Sequence, residues 1–431
     1  MIRSLYTGVS GIRSHQISMD VVGNNIANVN TTAYKRQRAT FAQLLSQQVV
    51  GLGRTAGGRS VNPAFIGLGV SVGSIESNFG QGAIKSTGVA TDLALNGDGF
   101  FIARNAKGIR YLTRAGNFTF NRNGELVTAS GLNVQGWKRD ANGKILTDDL
   151  EDIKIDFSTQ ASPKRTENIT IGGNLSADIS KTDAEKTVTV SAVVYDEQGK
   201  ARTVLIELEK SADLATDGYD EWTYTIKDAD NPSATMTGNT GTIRFDSSGK
   251  LSHINGTAIP TDADATIDFT WDMDGNGTSE SLTLNFGGYT TEGITQFSGS
   301  STANVRSQDG RTSGELTGFS IGSDGVLRLN FSNGYQEDLY QLAIGMVNNP
   351  NGLNPIGENL YALMSEAGSL TVGRAGNEIS TVVVQGSLES SNVDLVTEFT
   401  DMIVTQRGYQ ASARVVTTSD ELLQETLQLK R

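Results

Sequence analysis

The chain contains no cysteine, which excludes disulfides, thiolate nucleophiles and zinc–thiolate sites together. Only two histidines are present, His15 and His253, far apart in the chain. That argues against a histidine metal cluster or a two-histidine mechanism. Six prolines in 431 residues leave turn-making to 49 glycines and to Asn and Asp. Nowhere do 18 apolar residues run together, so no membrane insertion by a helix is expected. Basic residues are outnumbered, 35 against 48 acidic, for a net charge of −13; a nucleic-acid partner is not expected. The start, Met1 to Tyr6, lacks the apolar core and cleavage site of a secretion signal. The chain is therefore expected to stay in the cytosol or to leave by a route that does not cleave it.

What remains is enough to fold. Apolar residues make up 37% and charged residues 19%, unlike a disordered chain, and the length suits two to four domains. Charge is uneven. Residues 1–75 carry seven basic side chains (Arg3, Arg13, Lys35, Arg36, Arg38, Arg54, Arg59) against Asp20 alone. The rest of the chain is strongly acidic, so the two parts are expected to face different surroundings.

Both ends read as helices. Ile2, Leu5, Val9, Ile12, Met19 and Ile26 recur at spacings of three and four, with Gln16 and Gly23 as the breaks. At the other end Leu395, Phe399, Met402, Tyr409, Ala413, Val416, Leu423 and Leu427 do the same, interrupted by Gln406 and Asp420. Ser390, Ser391 and Asn392 are N-cap candidates for a helix over about 392–429. Asp394 and Glu398 suit its positive end. Neither stripe has a covering domain beside it in sequence. A helix with one apolar face must bury it, so the ends are expected to pair with each other or with other copies of the chain. Every domain between them is then nested.

The middle reads as β-structure. Asn-Gly begins at 96, 123, 142, 255, 276, 333 and 351, and Asp-Gly at 98, 217, 274, 309 and 324; these are hairpin signals. Alternating segments flank them, such as Thr187–Ser191, Glu221–Ile226 and Ser281–Phe286. The fold class expected is mainly β, with nested β domains in the middle and terminal helices pairing as a coiled-coil-like inner domain.

Four patterns resemble chemical motifs. Gly318-Phe319-Ser320-Ile321-Gly322 matches the nucleophile-elbow spacing, but both histidines precede Ser320 and turn and strand follow it; a β-turn is the better reading. Gly53 to Ser60 imitates a phosphate loop with arginine in place of lysine, and Asn62-Pro63 follows where a helix should. Asp272, Asp274 and Asn276, with Gly277 next, imitate the start of a calcium loop. Its twelfth position is Thr283, with Glu280 as a partial substitute. These three are weak metal candidates, and a tight hairpin is preferred. The basic run Lys35-Arg36-Gln37-Arg38 is read as a solvated or inter-subunit charged face. No catalytic residue and no cofactor are expected.

Three stretches carry a resemblance. Asn24-Asn25-Ile26-Ala27-Asn28-Val29-Asn30-Thr31-Thr32-Ala33-Tyr34-Lys35 resembles the N-terminal signature of bacterial flagellar rod and hook proteins. Asp92 to Phe101, with Thr113-Arg114-Ala115-Gly116-Asn117-Phe118 and Gly124 to Val127, resembles their first β domain. Gly386 to Leu395, with Gln406-Arg407-Gly408-Tyr409, resembles their C-terminal signature. The stretches stand in the family's order and cover both outer thirds of the chain. An extra ~140 residues between 157 and 300 are similar to the outer insert of the hook branch; the distal-rod branch is shorter and forms straight polymers.

The resemblance implies an exported structural subunit of a tubular universal joint between rod and filament, with no enzymatic activity. Its implied location is the extracellular hook of the flagellum, reached by uncleaved flagellar type III export. Implied partners are further copies of itself, the distal-rod protein, the hook–filament junction protein, the hook cap protein and the export apparatus. The implied assembly residues are Leu5, Val9, Ile12, Met19, Asn24, Asn25, Ile26 and Asn28 in the first third, and Asn392, Leu395, Phe399, Met402, Tyr409, Val416, Leu423 and Leu427 in the last. Expected domains are 1–30 with 395–431 (inner helices), 31–82 with 372–394 (extended connection), 83–156 with 301–371 (first β domain) and 157–300 (outer β domain). Some spirochaete members of the family cross-link subunits through a cysteine and a lysine; this chain has no cysteine with which to do so. Readings from other classes are a β-rich hydrolase or binding module built on Gly318–Gly322, and a calcium-dependent adhesin built on Asp272–Gly277.

Overall fold

The computed structural model describes the chain except residues 1, 51–63, 141–143, 147–148, 181, 183–185, 213–217, 232–233, 261–262, 274–278, 289–292 and 429–431. It is mainly β, with two long helices at the ends that pair with each other, α1 (Ile2–Ala27) and α2 (Leu395–Gln428). No helix among the described residues is long and apolar enough to cross a membrane. The chain forms two compact units: residues 1–157, 319–329 and 337–431 make the first, and 158–318 with 330–336 make the second.

In the first unit, outgoing and returning chain are zipped together. Strand Ile84–Ser86 pairs antiparallel with Ser387–Glu389, and Leu93–Asn96 pairs with Val382–Gln385. Beyond them, Phe100–Arg104 lies between Arg110–Thr113 and Asn133–Lys138, and Ile344–Val347 joins Phe100–Phe101 to Leu370–Gly373. Phe100, Ile102, Leu112, Trp137, Val347 and Tyr361 fill the core beneath. The turn signal Asn96-Gly97-Asp98-Gly99 makes no hairpin. Its glycines, at φ +118° and +129°, carry the chain from one ladder to the next. A Cβ at Gly99 would stand 2.7 Å from Ile344 Cγ2, so glycine is required for closeness as well as for angle.

The second unit is a sandwich. Thr187–Tyr195, Ala201–Ala212, Asp220–Asp228, Thr240–Phe245, Leu251–Ile254 and Thr257–Ala258 form an antiparallel meander. Asn255-Gly256, with φ +49° and +76°, closes its last hairpin, the tight turn that Asn-Gly predicts. The facing sheet holds Asp264–Trp271, Glu280–Gly288 and Asn168–Ser176, with the latter flanked by Ile294–Phe297 and Asn304–Gln308. Trp222, Trp271, Tyr224, Phe245, Phe269 and Phe286 are all fully buried between the sheets; aromatics of this size dominate such a core.

Where the chain enters and leaves this unit, Asp309 pins the two passes. Its carboxylate accepts the backbone N–H groups of Glu167 and Asn168, both at 2.9 Å, and the Lys164 ammonium at 3.1 Å. Burial alone would raise its pKa. The hydrogen bonds outweigh that and hold the carboxyl down to about 2. A depressed pKa contributes stability that is present above the ordinary carboxylate range and lost as pH falls through the native value. Between pH 4 and 2 the wild-type second unit is expected to lose stability that Asp309→Asn has already lost at neutral pH. Urea melts of both proteins at pH 7 and pH 2 check this; parallel pH profiles would contradict it.

Candidate functional site: the helix pair and its anchor

The two helices run antiparallel and meet through small residues. Ser4 Oγ lies 3.1 Å from Ser419 Oγ. A Cβ added at Gly8 would come within 2.7 Å of Val416 Cγ2, one at Gly11 within 2.7 Å of Ser412 Oγ, and one at Gly408 within 2.5 Å of the His15 ring. At the far end Asn25 Nδ2 donates to Glu398 at 3.1 Å. Residues 4, 8, 11, 15 and 25 keep the three–four spacing, one position before Leu5, Val9, Ile12 and Ile26. With 3.6 residues per turn, one position is about 100° around the helix. On α2 the buried side chains Glu398, Thr405 and Ser419 likewise precede Phe399, Gln406 and Asp420 by one.

Apart from Val416, which meets Gly8, the apolar stripes therefore flank the seam within the chain instead of forming it. Leu5, Val9, Ile12, Met19, Ile26, Met402, Val416 and Leu423 are half-buried. Leu395, Phe399, Tyr409 and Leu427 are exposed, Phe399 by 51% and Leu427 by 69%. Beside them Tyr6, Ile403 and Val404 are exposed by more than half.

Past α1 the asparagines turn the chain. Asn28 Nδ2 donates at 2.9 Å to the carbonyl of Asn24, one of the last in the helix. Asn25 is fully buried. It donates to the carbonyl of Gln37 at 2.7 Å and accepts that residue's N–H at 2.9 Å and the Tyr34 hydroxyl at 3.1 Å. Asn24 is exposed and bonds the Tyr34 hydroxyl from outside.

Two expectations need correction here. Asn392 does not cap α2: Asp394 does, accepting from the Val396 N–H at 3.1 Å and the Thr397 hydroxyl at 2.7 Å. Asn392 instead ties three segments, accepting the Arg36 N–H at 2.7 Å and donating to the carbonyls of Asn78 and Gly80. Glu398 stands in the first turn of α2, as its charge suggested, and there also faces Asn25 and the Arg36 guanidinium. The run Lys35–Arg38 is not a solvated face, because Lys35 is buried and Arg36 binds Glu398 and Asp401; Arg38 alone is largely exposed, beside Glu76.

Beneath this corner lies a buried ionic anchor. Lys35 Nζ is 2.6 Å from Glu389 Oε1, and Arg114 Nη1 is 3.4 Å from Oε2. All three side chains are almost wholly removed from solvent. The Gly82 N–H also donates to Glu389, at 2.8 Å, while Lys35 and Arg114 complete their bonding on the carbonyls of Gly80 and Gly97. Burial pulls the Lys35 ammonium and the Arg114 guanidinium below their ordinary values, and the Glu389 carboxylate opposes both shifts. Burial also pushes the neighbouring Tyr361 phenol up to about 12. Glu389 and Arg114 lie inside stretches that carry the family resemblance, yet nothing in their spacing assigned them to one cluster.

The remaining motifs are placed as follows. Ser320 sits within strand Gly314–Ile321 and not in the β-turn expected for Gly318–Gly322, and no strand-to-helix elbow follows it. Asp272 follows strand Asp264–Trp271, and the Glu280 carboxylate accepts the Met273 N–H at 3.2 Å; Asp274 and Asn276 lie outside the described residues, as does Gly53–Ser60. Among the described residues no group of three or more His, Cys, Asp or Glu could hold a metal.

Four family models match along the chain: flagella basal body rod protein at 5–35, flagellar hook protein FlgE/F/G D1 domain at 94–177, flagellar basal body protein FlaE D2 domain at 170–311, and flagellar basal body rod FlgEFG protein C-terminal at 384–429. The flagellar hook protein FlgE of Borreliella burgdorferi is 37% identical, over the whole of both chains. This chain belongs to the flagellar hook protein family. FlgE of Treponema pallidum is 36% identical over the whole of both chains, and FlgE of Salmonella typhimurium 28% identical over 99% of this chain and all of its own. The crystal structure of Helicobacter pylori hook protein FlgE2 shares the fold, with a TM-score of 0.52 and 16% identity over 71% of this chain and the whole of that one. Membership makes the chain a structural subunit of the flagellar hook, located in the flagellum and assembling with flagellar components. The family is structural and not enzymatic.

Proposed function

We propose that this hook subunit polymerises through its helix pair into a curved, flexible tube that carries torque from rod to filament. The observation that carries this reading is the placement of side chains on the pair. Its internal seam uses Gly, Ser and Asn, which leaves Tyr6, Phe399, Ile403, Val404 and Leu427 facing outward. Apolar side chains of this size concentrated on one element mark a surface that meets another chain. The seam and the outward stripes lie on different helix faces, so the stripes stay available to other copies, and a tube requires those contacts to be heterologous. Contacts of that kind propagate into helical filaments when they do not close. The assembly residues proposed are those of the two stripes, Leu5, Val9, Ile12, Met19 and Ile26 with Leu395, Phe399, Met402, Tyr409, Val416, Leu423 and Leu427, of which Val416 also closes the seam against Gly8. Asn24, Asn25, Asn28 and Asn392 hold the corner that presents them.

The tube is proposed to begin on the distal-rod protein and to grow beneath the hook cap protein. It ends at the hook–filament junction protein. Its subunits leave uncleaved through the flagellar type III export apparatus and come to rest outside the cell. Phe399→Asp is the direct test. The ring is half exposed in the single chain, so the monomer should fold normally. In a polymer the carboxylate would be buried without a partner, at a cost of several kcal/mol per contact. Sedimentation and electron microscopy should find folded monomer and no tubes. Tubes of normal length from this variant would remove α2 from the assembly surface.

A further inference from the structure

Three of the four non-glycine residues with positive φ among the described residues meet at one place. Ala33 has φ +57°, Glu358 +53° and Asn359 +56°. Glu358 and Asn359 form the two-residue turn between strands Asn354–Gly357 and Leu360–Ala362. Such a turn needs positive φ at both positions and favours Asn-Gly; glutamate at the first position holds a conformation that costs it energy. Ala33 lies in the corner that leads out of α1. It is fully buried, and its N–H donates to the Glu389 carbonyl at 2.8 Å.

The corner is held differently on its two sides. On one side stand the buried Glu389 anchor and the Asn392 tie already described. On the other is an open cavity of about 370 Å³, walled by Thr31, Thr32, Thr113, Ser130, Glu358 and Asn359. Asn359 spans it: its Nδ2 donates to the Thr32 carbonyl at 2.7 Å, while its own carbonyl accepts the Thr113 hydroxyl at 2.9 Å. A strained turn therefore reaches across open space to grip the backbone beside another strained residue.

We propose that Asn359 is a releasable latch that sets the direction in which the helix pair leaves the first β domain. Latched, the corner is drawn toward the Glu358–Asn359 turn. Released, it pivots on the Glu389 anchor into the cavity, and Ala33 leaves its left-handed conformation. The strain at Ala33 offsets part of the bond, so the two positions lie close in free energy, as a two-state element requires. The proposal rests on the hook reading in one respect: a curved tube turning about its own axis requires each subunit to change shape once per revolution, and this corner supplies the compliance.

The absence of cysteine allows clean labelling. Asp20→Cys on α1 and Lys107→Cys on the β domain, both exposed, carry spin labels on the full chain as dilute monomer. Asn359→Gly removes the grip without adding strain. It should add a second distance to the distribution and speed amide exchange over residues 31–34 about fivefold, the factor expected for one hydrogen bond. Glu358→Gly keeps the grip and relieves strain that the hairpin carries in either position. It should leave one narrow distance and unchanged exchange of the same amides. An unchanged distribution and unchanged exchange in Asn359→Gly would overturn the latch. So would equal effects from the two variants. Polymerisation of the labelled parent is scored separately: its failure counts against the hook reading and leaves the monomer distances to judge the latch.

Discussion

Glu389→Ala is expected to be the most destabilising single substitution in the first unit. The carboxylate is the shared partner of Lys35 and Arg114, and neither cation is solvent-exposed. Removing one partner of a buried ion pair costs about 3–5 kcal/mol, because the remaining charge is left uncompensated. Here two charges are left, although Lys35 retains the Gly80 carbonyl and Arg114 that of Gly97. Lys35 can also shed its proton, since burial already favours its neutral form. That caps the loss near the upper end of the range. For a unit of this size the loss lowers the melting temperature by about 5–9 °C. Glu389→Gln retains an acceptor for the Gly82 N–H and should fall between wild type and alanine. Thermal melts followed by helical circular dichroism supply the comparison, with amide exchange of the second unit's core as control. A shift of about 2 °C or less would mean that water reaches the cations and that the anchor holds little.

The effect should also be felt at a distance along the chain. Glu389 ends the ladder Ile84–Ser86 with Ser387–Glu389, and its carbonyl accepts the Ala33 N–H. The anchor thus joins three segments that are far apart in sequence: the corner after α1, the first β domain and the approach to α2. Losing it should loosen the start of α2 and the Asn25–Glu398 contact before it disturbs either sheet core.

The sequence makes the architecture legible where a local rule suffices. Three–four spacing gives two terminal helices, and Asn255-Gly256 gives a hairpin with the required positive φ. Nesting follows from unburied stripes at both ends. The rule fails at Asn96-Gly97-Asp98-Gly99, where the same residues answer to close packing against Thr381 and Ile344 instead of to a hairpin. The helix seam is hidden for a physical reason. Pattern reading weights large apolar side chains, whereas the close approach of α1 and α2 depends on side chains that are absent or small. Gly8, Gly11 and Ser412 carry no hydrophobic signal of their own. Lys35 shows the opposite failure. Its neighbours Arg36 and Arg38 suggest a solvated run, and only the tertiary fold brings Glu389 and Arg114 to it across most of the chain. Positive φ at Glu358 and Asn359 has no sequence signal, because glutamate there opposes the local preference.

Gly8→Leu should abolish tube formation outright. Glycine in a helix interior is disfavoured by about 1 kcal/mol relative to good helix formers, so the substitution strengthens α1 as an isolated helix. Any loss of assembly is therefore a loss of pairing. A Cβ at position 8 would stand 2.7 Å from Val416 Cγ2 and 3.2 Å from the Ser412 carbonyl oxygen. The first contact can be relieved by a side chain, but the second belongs to backbone. Forcing such contacts costs about 1–3 kcal/mol, and leucine's further atoms have nowhere to go without parting the helices. Helices that depend on packing cannot absorb that loss. The outward stripes would then no longer be presented in one register. Compensation separates this account from general damage. Gly8→Ala should assemble poorly, and Val416→Ala should partly restore it by vacating the Cγ2 position. Gly408→Ala, whose Cβ would meet the His15 ring at 2.5 Å, should be restored by His15→Ala and not by Val416→Ala. Electron microscopy of polymers from these single and double variants reads this directly. Normal tubes from Gly8→Leu, or rescue that ignores which partner is trimmed, would show that the seam does not control assembly.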